Sequence, residues 1–228
     1  MLTHPAEARR RFREYASAEI TNANLAYGAL LIALEDNPSL DVDHYMHALD
    51  DLAERAAKRC SRGEPPVFRL GHLYAEMFDV EGSRGDSTSY YDPTHAYLNE
   101  VIDRRAGLPI SLSILFLHLA ARLDLNAAGV GLPGHYVVKV QFELNEVYVD
   151  PFHAGTTLTM AEIGALLHQV SGGNISLSSE HLRAWTGRET LVRVLGNLQN
   201  MWSRIGDARK AAAARERIEL LASTGPND

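Results

Sequence analysis

The spacing of apolar residues turns from helical to alternating beyond Leu125 and returns to helical after Gly155. Up to Arg105 the chain reads almost wholly helical. Leu25 to Glu35 (LAYGALLIALE) is rich in alanine and leucine and stops before Asn37-Pro38. Asp41 to Cys60 carries Val42, Tyr45, Met46, Leu49 and Leu52 behind an acidic start, which is helical spacing with a plausible N-terminus. Gly63-Glu64-Pro65-Pro66 breaks the chain, and VFRLGHLYAEMF gives another short helix. Val80 to Ser89 is a polar loop, and Pro93 to Arg105 is a helix by composition that Gly107-Leu108-Pro109 stops. From Ser111 to Leu125 the residues are apolar on nearly all sides, which predicts a buried central helix.

Then a period of two takes over. In His135 to Phe142, Tyr136, Val138, Val140 and Phe142 share one face; in Glu146 to Asp150, Val147 and Val149 do. Leu144-Asn145 is read as the two-residue turn between them. A further strand is expected around Ala127 to Leu132. Thr159 with Glu162 three residues on has capping-box spacing and opens a helix through Val170. Ser171 to Ser179 is a loop, and Arg188 to Ala222 reads as two helices joined at Gly206-Asp207. A helical layer, a small antiparallel sheet with a central helix and a final helical pair make an α+β fold.

Composition narrows the function more than the fold. The chain has 228 residues, 46% hydrophobic and 22% charged, long enough to bury a core without staples. A net charge of −7 argues against nucleic acid as a partner. The single cysteine, Cys60, excludes an internal disulfide and fits a reducing compartment. The basic N-terminus has no apolar run behind it, so no signal peptide is expected. The longest apolar stretch, Ile110 to Ala121, is broken by Ser111, Ser113 and His118 and is too short to span a bilayer. These features place the protein in the cytoplasm.

The candidate chemistry lies at the junction of the two periods. Ser111 opens the buried helix, His135 heads a strand and Asp150 ends the next. A hydroxyl, an imidazole and a carboxylate in that order are the parts of a hydrolase or acyl-transferase triad. Parity puts His135 and Asp150 on the same side of the hairpin, opposite the apolar face. With the turn at Leu144-Asn145, Asp150 stands across from Lys139, about four residues or on the order of 13 Å from His135. A bulge or a different turn is then needed for contact. A helix dipole would activate a cysteine at Ser111; a serine needs His135 within reach as base. Ser113 is the alternative nucleophile.

Taken together, YYDP, YLNEV, DRR, GLPISLS, GLPGHYVVKV and YVDPF resemble the bacterial SirB-type family, whose members join a transglutaminase-like domain to C-terminal tetratricopeptide-like helices. The resemblance covers roughly Ala23 to Ala222 and is densest from Tyr90 to Gly155. It implies a papain-like core with a nucleophile at a helix start and His and Asp on consecutive strands, mapped to His135 and Asp150. The family's cysteine maps near Ser111 or Ser113, where this chain has none. Thr94-His95-Ala96 departs from the expected pattern of a basic residue, Asn and Ser. Asp124 stands where a glycine usually ends the helix. The implied division is 1–89 as a helical region packed on the core, 90–180 as the transglutaminase-like core and 181–228 as a tetratricopeptide-like pair. In that pair Gly206-Asp207, Ala211 and Ile218 are suitably spaced, whereas Pro226 falls late and Ile205 holds the aromatic position. One such unit forms no solenoid and must pack on the main domain or on a second chain.

Plainer readings compete at each site. Ser111 is also a natural helix N-cap, and Ser113 a buried hydroxyl bonded to a carbonyl. His135 and Asp150 equally make a pair that holds the hairpin. Gly129, Gly131 and Gly134 spell GxGxxG, but a strand rather than a helix follows, so they are read as shaping the turn before His135. His44 and His47 lie three apart without a third strong ligand. Cys60 has Arg55, Lys58, Arg59 and Arg62 nearby, which would lower its pKa if they faced it, but the preferred reading is an ordinary cysteine near a helix end. The expectation is a transglutaminase-like module that has lost its nucleophile and works as a protein-interaction or regulatory element. The alternative is a serine-dependent hydrolase or acyl-transferase using Ser111, His135 and Asp150. No cofactor or metal is expected; the expected partner is a protein or peptide, not nucleic acid or membrane, and the oligomeric state is left open.

Overall fold

The computed structural model describes residues 2–87 and 92–223. Four helices come first: α1 (Pro5–Ala16), α2 (Asn22–Asp36), α3 (Val42–Ala57) and α4 (Pro66–Tyr74). The Asp41 side chain caps α3 by accepting from the His44 N–H at 3.0 Å. α4 runs on as a π-turn, Ala75–Val80. The helix expected over Pro93–Arg105 is divided: a 3₁₀ turn, Pro93–Ala96, precedes α5 (Leu98–Arg104). The central helix α6 spans Pro109–Arg122, with Ile110 to Ala120 buried throughout. Arg84–Gly85 (β1) and Ala106–Gly107 (β2) pair in parallel beside it.

The sheet is a meander of four antiparallel strands, β3 (Ala127–Leu132), β4 (His135–Gln141), β5 (Glu146–Asp150) and β6 (Thr156–Leu158). The architecture is α+β, as the two hydrophobic periods predict. One face gives Tyr136, Val138, Val140 and Val149 to the main core with α6. The other is not the polar face that alternation suggests: Val130, Leu132, Val137 and Tyr148 pack there with Ile163 and Leu167 of α7 (Met160–Val170). The capping box at α7 is present, with Thr159 and Glu162 exchanging hydrogen bonds.

The final hairpin, α8 (Gly187–Ile205) and α9 (Ala208–Ser223), turns at Gly206, whose φ of 89° is the left-handed geometry glycine adopts without strain. It docks on the N-terminal helices of the same chain. Arg217, wholly buried on α9, donates to the Ile32 carbonyl at 2.9 Å and to Asp36 at 3.4 Å. Arg188 on α8 donates to the Ala16 carbonyl at 2.8 Å, and Arg9 bridges Glu35 and Glu216. One apolar cluster runs from Ala8 to Leu221. No helix among the described residues is long and apolar enough to cross a membrane.

Candidate functional site

The hairpin register decides whether His135 and Asp150 meet. Lys139 stands opposite Tyr148 and Val138 opposite Val149. The Phe142 N–H donates to the Asn145 carbonyl at 2.8 Å, so the two turn residues are Glu143-Leu144. The expected turn at Leu144-Asn145 is one residue late, and moving it shifts the pairing by two. Continuing the ladder puts Asp150 across from Val137, the diagonal neighbour of His135, a separation long side chains bridge. His135 Nε2 donates to Asp150 Oδ2 at 2.7 Å without any bulge.

Asp150 is fully buried and collects more than that one bond. The chain leaves β5 through a 3₁₀ turn, Pro151–His153, which returns a second imidazole: His153 Nδ1 donates to the same Oδ2 at 2.8 Å. Oδ1 accepts the backbone N–H groups of Phe152 at 3.0 Å and His153 at 3.3 Å. Burial pushes the Asp150 carboxyl up, but the hydrogen bonds and charges of His135 and His153 outweigh it, and its pKa lies below the ordinary 3.8. The Phe152 ring stands edge-on to both imidazoles, centroids 6.0 Å from His135 and 5.2 Å from His153. His135 is 9% exposed, whereas the His153 side chain is 58% exposed.

The turn before β4 fixes where His135 begins. Gly134 has φ of 70°, the left-handed conformation this tight connection requires. Gly129 and Gly131 have a different task. A Cβ at Gly131 would come within 2.1 Å of the Trp185 ring, and one at Gly129 within 2.0 Å of the Tyr136 hydroxyl. The three glycines thus serve a turn and two aromatic contacts.

The hydroxyl candidates are committed elsewhere. Leu108, not Ser111, is the N-cap of α6, and Ser111 is the third residue of the helix. The N-cap reading fails because Pro109 already starts the helix, a position where its missing N–H costs nothing. Ser111 Oγ donates to the Ala96 carbonyl at 3.1 Å, tying α6 to the 3₁₀ turn before α5. Ser113 Oγ donates to the Pro109 carbonyl at 2.8 Å, the i−4 bond expected of a hydroxyl inside an apolar helix. Both side chains are buried. α6 packs against the turn that carries His153, so the hydroxyl and imidazole elements are neighbours. The imidazole–carboxylate contact is made, and the serine hydroxyls bond backbone carbonyls instead. Tyr90 and Tyr91 of the YYDP motif lie outside the described residues.

His153 is the residue sequence reasoning missed. Its signal was the three-residue step from Asp150 across Pro151, which brings a side chain back over the strand end. The cations near Cys60 in the sequence do not activate its thiol. Burial raises its thiol pKa, and Glu64 adds to the rise more than Arg69 subtracts. Among the described residues two clusters have metal-ligand character, His135/Asp150/His153 and Cys60/Glu64/His72, each with donor atoms within 4.8 Å of one another. His44 and His47 join neither.

Comparison with known proteins gives the chain a family. Residues 43–196 match the family described as the transglutaminase-like superfamily. The chain belongs to that superfamily. A UPF0162 protein of Xylella fastidiosa is 29% identical over 201 residues, covering 87% of this chain and 72% of the relative. A UPF0162 protein of Pseudomonas aeruginosa is 28% identical over 200 residues, 88% and 73% of the two chains. Mouse F-box only protein 21 is 24% identical over 219 residues, 85% of this chain but 34% of that protein. No solved structure matches.

Proposed function

We propose that this chain is a transglutaminase-like module without transferase or hydrolase activity, acting in the cytoplasm by binding a protein or peptide. The observation that carries the reading is the Ser111 hydroxyl, buried and donated to the Ala96 carbonyl where the superfamily reaction needs a free nucleophile. The only cysteine sits just past the end of α3 with a raised thiol pKa, poorly suited to replace it. The match to about a third of F-box only protein 21 supports a module that works as part of a larger protein. In this reading the chain is of the SirB type, and α8–α9 is its tetratricopeptide-like pair, held to α2 by Arg217.

The intact His135–Asp150 bond at 2.7 Å favours a second reading, a serine-dependent hydrolase or acyl-transferase on peptide, amide or ester substrates. Ser111 would have to leave the Ala96 carbonyl and present Oγ to the imidazole. One experiment separates the two. Folded protein is treated with a fluorophosphonate probe and, separately, with a glutamine peptide and a fluorescent primary amine. No adduct at Ser111 or Ser113 and no amine incorporation are expected. A stoichiometric adduct at either serine overturns the non-catalytic reading.

A further inference from the structure

Three donor atoms converge at the open end of the β4–β5 hairpin in a way that the family pairing of His and Asp does not require. His135 Nε2 and His153 Nδ1 both point at Asp150 Oδ2, at 2.7 and 2.8 Å, and all three atoms lie within 4.8 Å of one another. We propose that His135, Asp150 and His153 form a binding site for a divalent transition-metal ion of the zinc class.

Distance is the first argument. Zinc bonds imidazole nitrogen and carboxylate oxygen at about 2.0–2.2 Å, so two ligands of a tetrahedral ion stand roughly 3.3 Å apart. Each imidazole here needs to withdraw from Oδ2 by only about half an ångström to admit the ion. The side chains already face one another across Asp150 Oδ2.

The second argument is what holds the ligands. Oδ1 of Asp150 is anchored by the Phe152 and His153 N–H groups, which fixes the carboxylate and leaves Oδ2 to coordinate. The Phe152 ring braces both imidazoles edge-on. Gly155 N–H donates to the Asp150 carbonyl at 2.9 Å and closes the loop that returns His153. Lys139, two strand positions beyond Val137, is drawn away to Glu146 and the Leu182 carbonyl and leaves the carboxylate to the imidazoles.

Access and donor chemistry set the class of ion. His153 is exposed, so an ion reaches the site from solvent, and water completes its coordination. Two imidazoles and one carboxylate suit zinc and its first-row neighbours and disfavour calcium and magnesium, which take oxygen ligands. The other donor group, Cys60, Glu64 and His72 beside an opening of about 510 Å³, is the natural competitor. It has a thiol, which gives the two sites different spectra.

The assignment does not depend on whether Ser111 is inert, and its readout is binding rather than turnover. Untagged full-length protein, stripped with chelator, is titrated with Zn(II) by calorimetry near neutral pH and with Co(II) by visible absorption. One equivalent is expected, with a tetrahedral cobalt spectrum and no thiolate charge-transfer band in the near ultraviolet. His153→Ala, at an exposed position, should keep its circular dichroism and weaken zinc at least about tenfold. His72→Ala should leave binding unchanged. Absence of stoichiometric binding, an unaltered affinity in folded His153→Ala, or a thiolate band that His72→Ala or Cys60→Ser removes would each overturn the proposal.

Discussion

At the start of α6, Ser111 and Ser113 are sealed from solvent and each donates a single hydroxyl to a backbone carbonyl. At the open end of the β4–β5 hairpin, Asp150 is sealed just as fully but gathers four N–H groups, two of them from imidazoles, one of which is exposed. The first region uses its polar atoms to join segments. The second concentrates charge at a place that solvent reaches through His153. Burial alone therefore does not sort structural from chemical polar groups. What separates them here is the number of donors aimed at one atom and whether any of those donors meets water.

The largest effect expected from this contrast is at Asp150. Asp150→Ala removes a buried anion and leaves two imidazoles and two backbone N–H groups without their acceptor. Breaking a buried pair from one side costs about 3–5 kcal/mol. Urea denaturation of the variant should show a loss of that size. A loss under about 1 kcal/mol, the ordinary worth of one hydrogen bond, would place Asp150 in the same category as the serines.

Acid should then distinguish the two regions by pH. α6 holds His118, buried, with Nε2 3.2 Å from Asp50 Oδ1 but out of hydrogen-bond geometry. Burial, more than Asp50 offsets, lowers its pKa from the ordinary 6.5. The folded state binds fewer protons than the unfolded chain just below that value, so the stability at stake is full above about pH 6.5 and falls as pH drops toward the lowered value. Asp150 behaves alike in a lower window. Its folded pKa lies under 3.8, so its contribution is complete above about pH 4 and disappears as pH falls through the depressed value. Denaturation midpoints across pH should show two steps. His118→Gln should remove the upper step and keep the lower. A single step that His118→Gln leaves in place would erase the distinction.

How much of this was legible beforehand differs between the same two regions. The strand limits of β3 and β5, the Thr159–Glu162 cap and the Gly206 turn follow from period and local chemistry, and the structure keeps them. The contact between His135 and Asp150 was not legible, because register depends on which two residues turn. Glu143-Leu144 carries no glycine or asparagine pair to mark it. Parity survived the error, since a shift of two residues returns each side chain to its own face. Ser111 was misplaced for a related reason: serine at a helix start suggests a cap, but Pro109 fixes the first turn two residues earlier. Asp124 shows the opposite case. Its φ of 50° confirms a left-handed residue at the glycine position after α6, where the family likeness had already singled it out. Interactions distant in sequence, such as Arg217 with Ile32 and Asp36, leave no local mark at all.

A smaller effect is expected at Ser111. Ser111→Ala removes the donor from the Ala96 carbonyl in a buried place and should cost about 1 kcal/mol, with no change in any metal affinity at the hairpin. A larger loss, or one accompanied by weaker zinc binding, would mean that the α6 start and the hairpin end act as one site.

The smallest change should come from Ser113→Ala, and it tests the comparison most finely. Ser113 is two residues further along the same helix, equally buried and equally hydrogen-bonded, so burial and bond count predict the same cost as at Ser111. The partner differs. Ser113 donates to Pro109, four residues back, whose carbonyl is in reach of the helix's own N–H at that position. Ser111 donates to Ala96, in a separate segment. Deleting the Ser113 hydroxyl leaves its acceptor inside the helix ladder, and alanine is the better helix former by a few tenths of a kcal/mol. The net change should lie within about 0.5 kcal/mol of zero. Equal losses at Ser111 and Ser113 in parallel denaturation curves would show that the Ala96 link is not what Ser111 contributes, and its hydroxyl would again be available for chemistry.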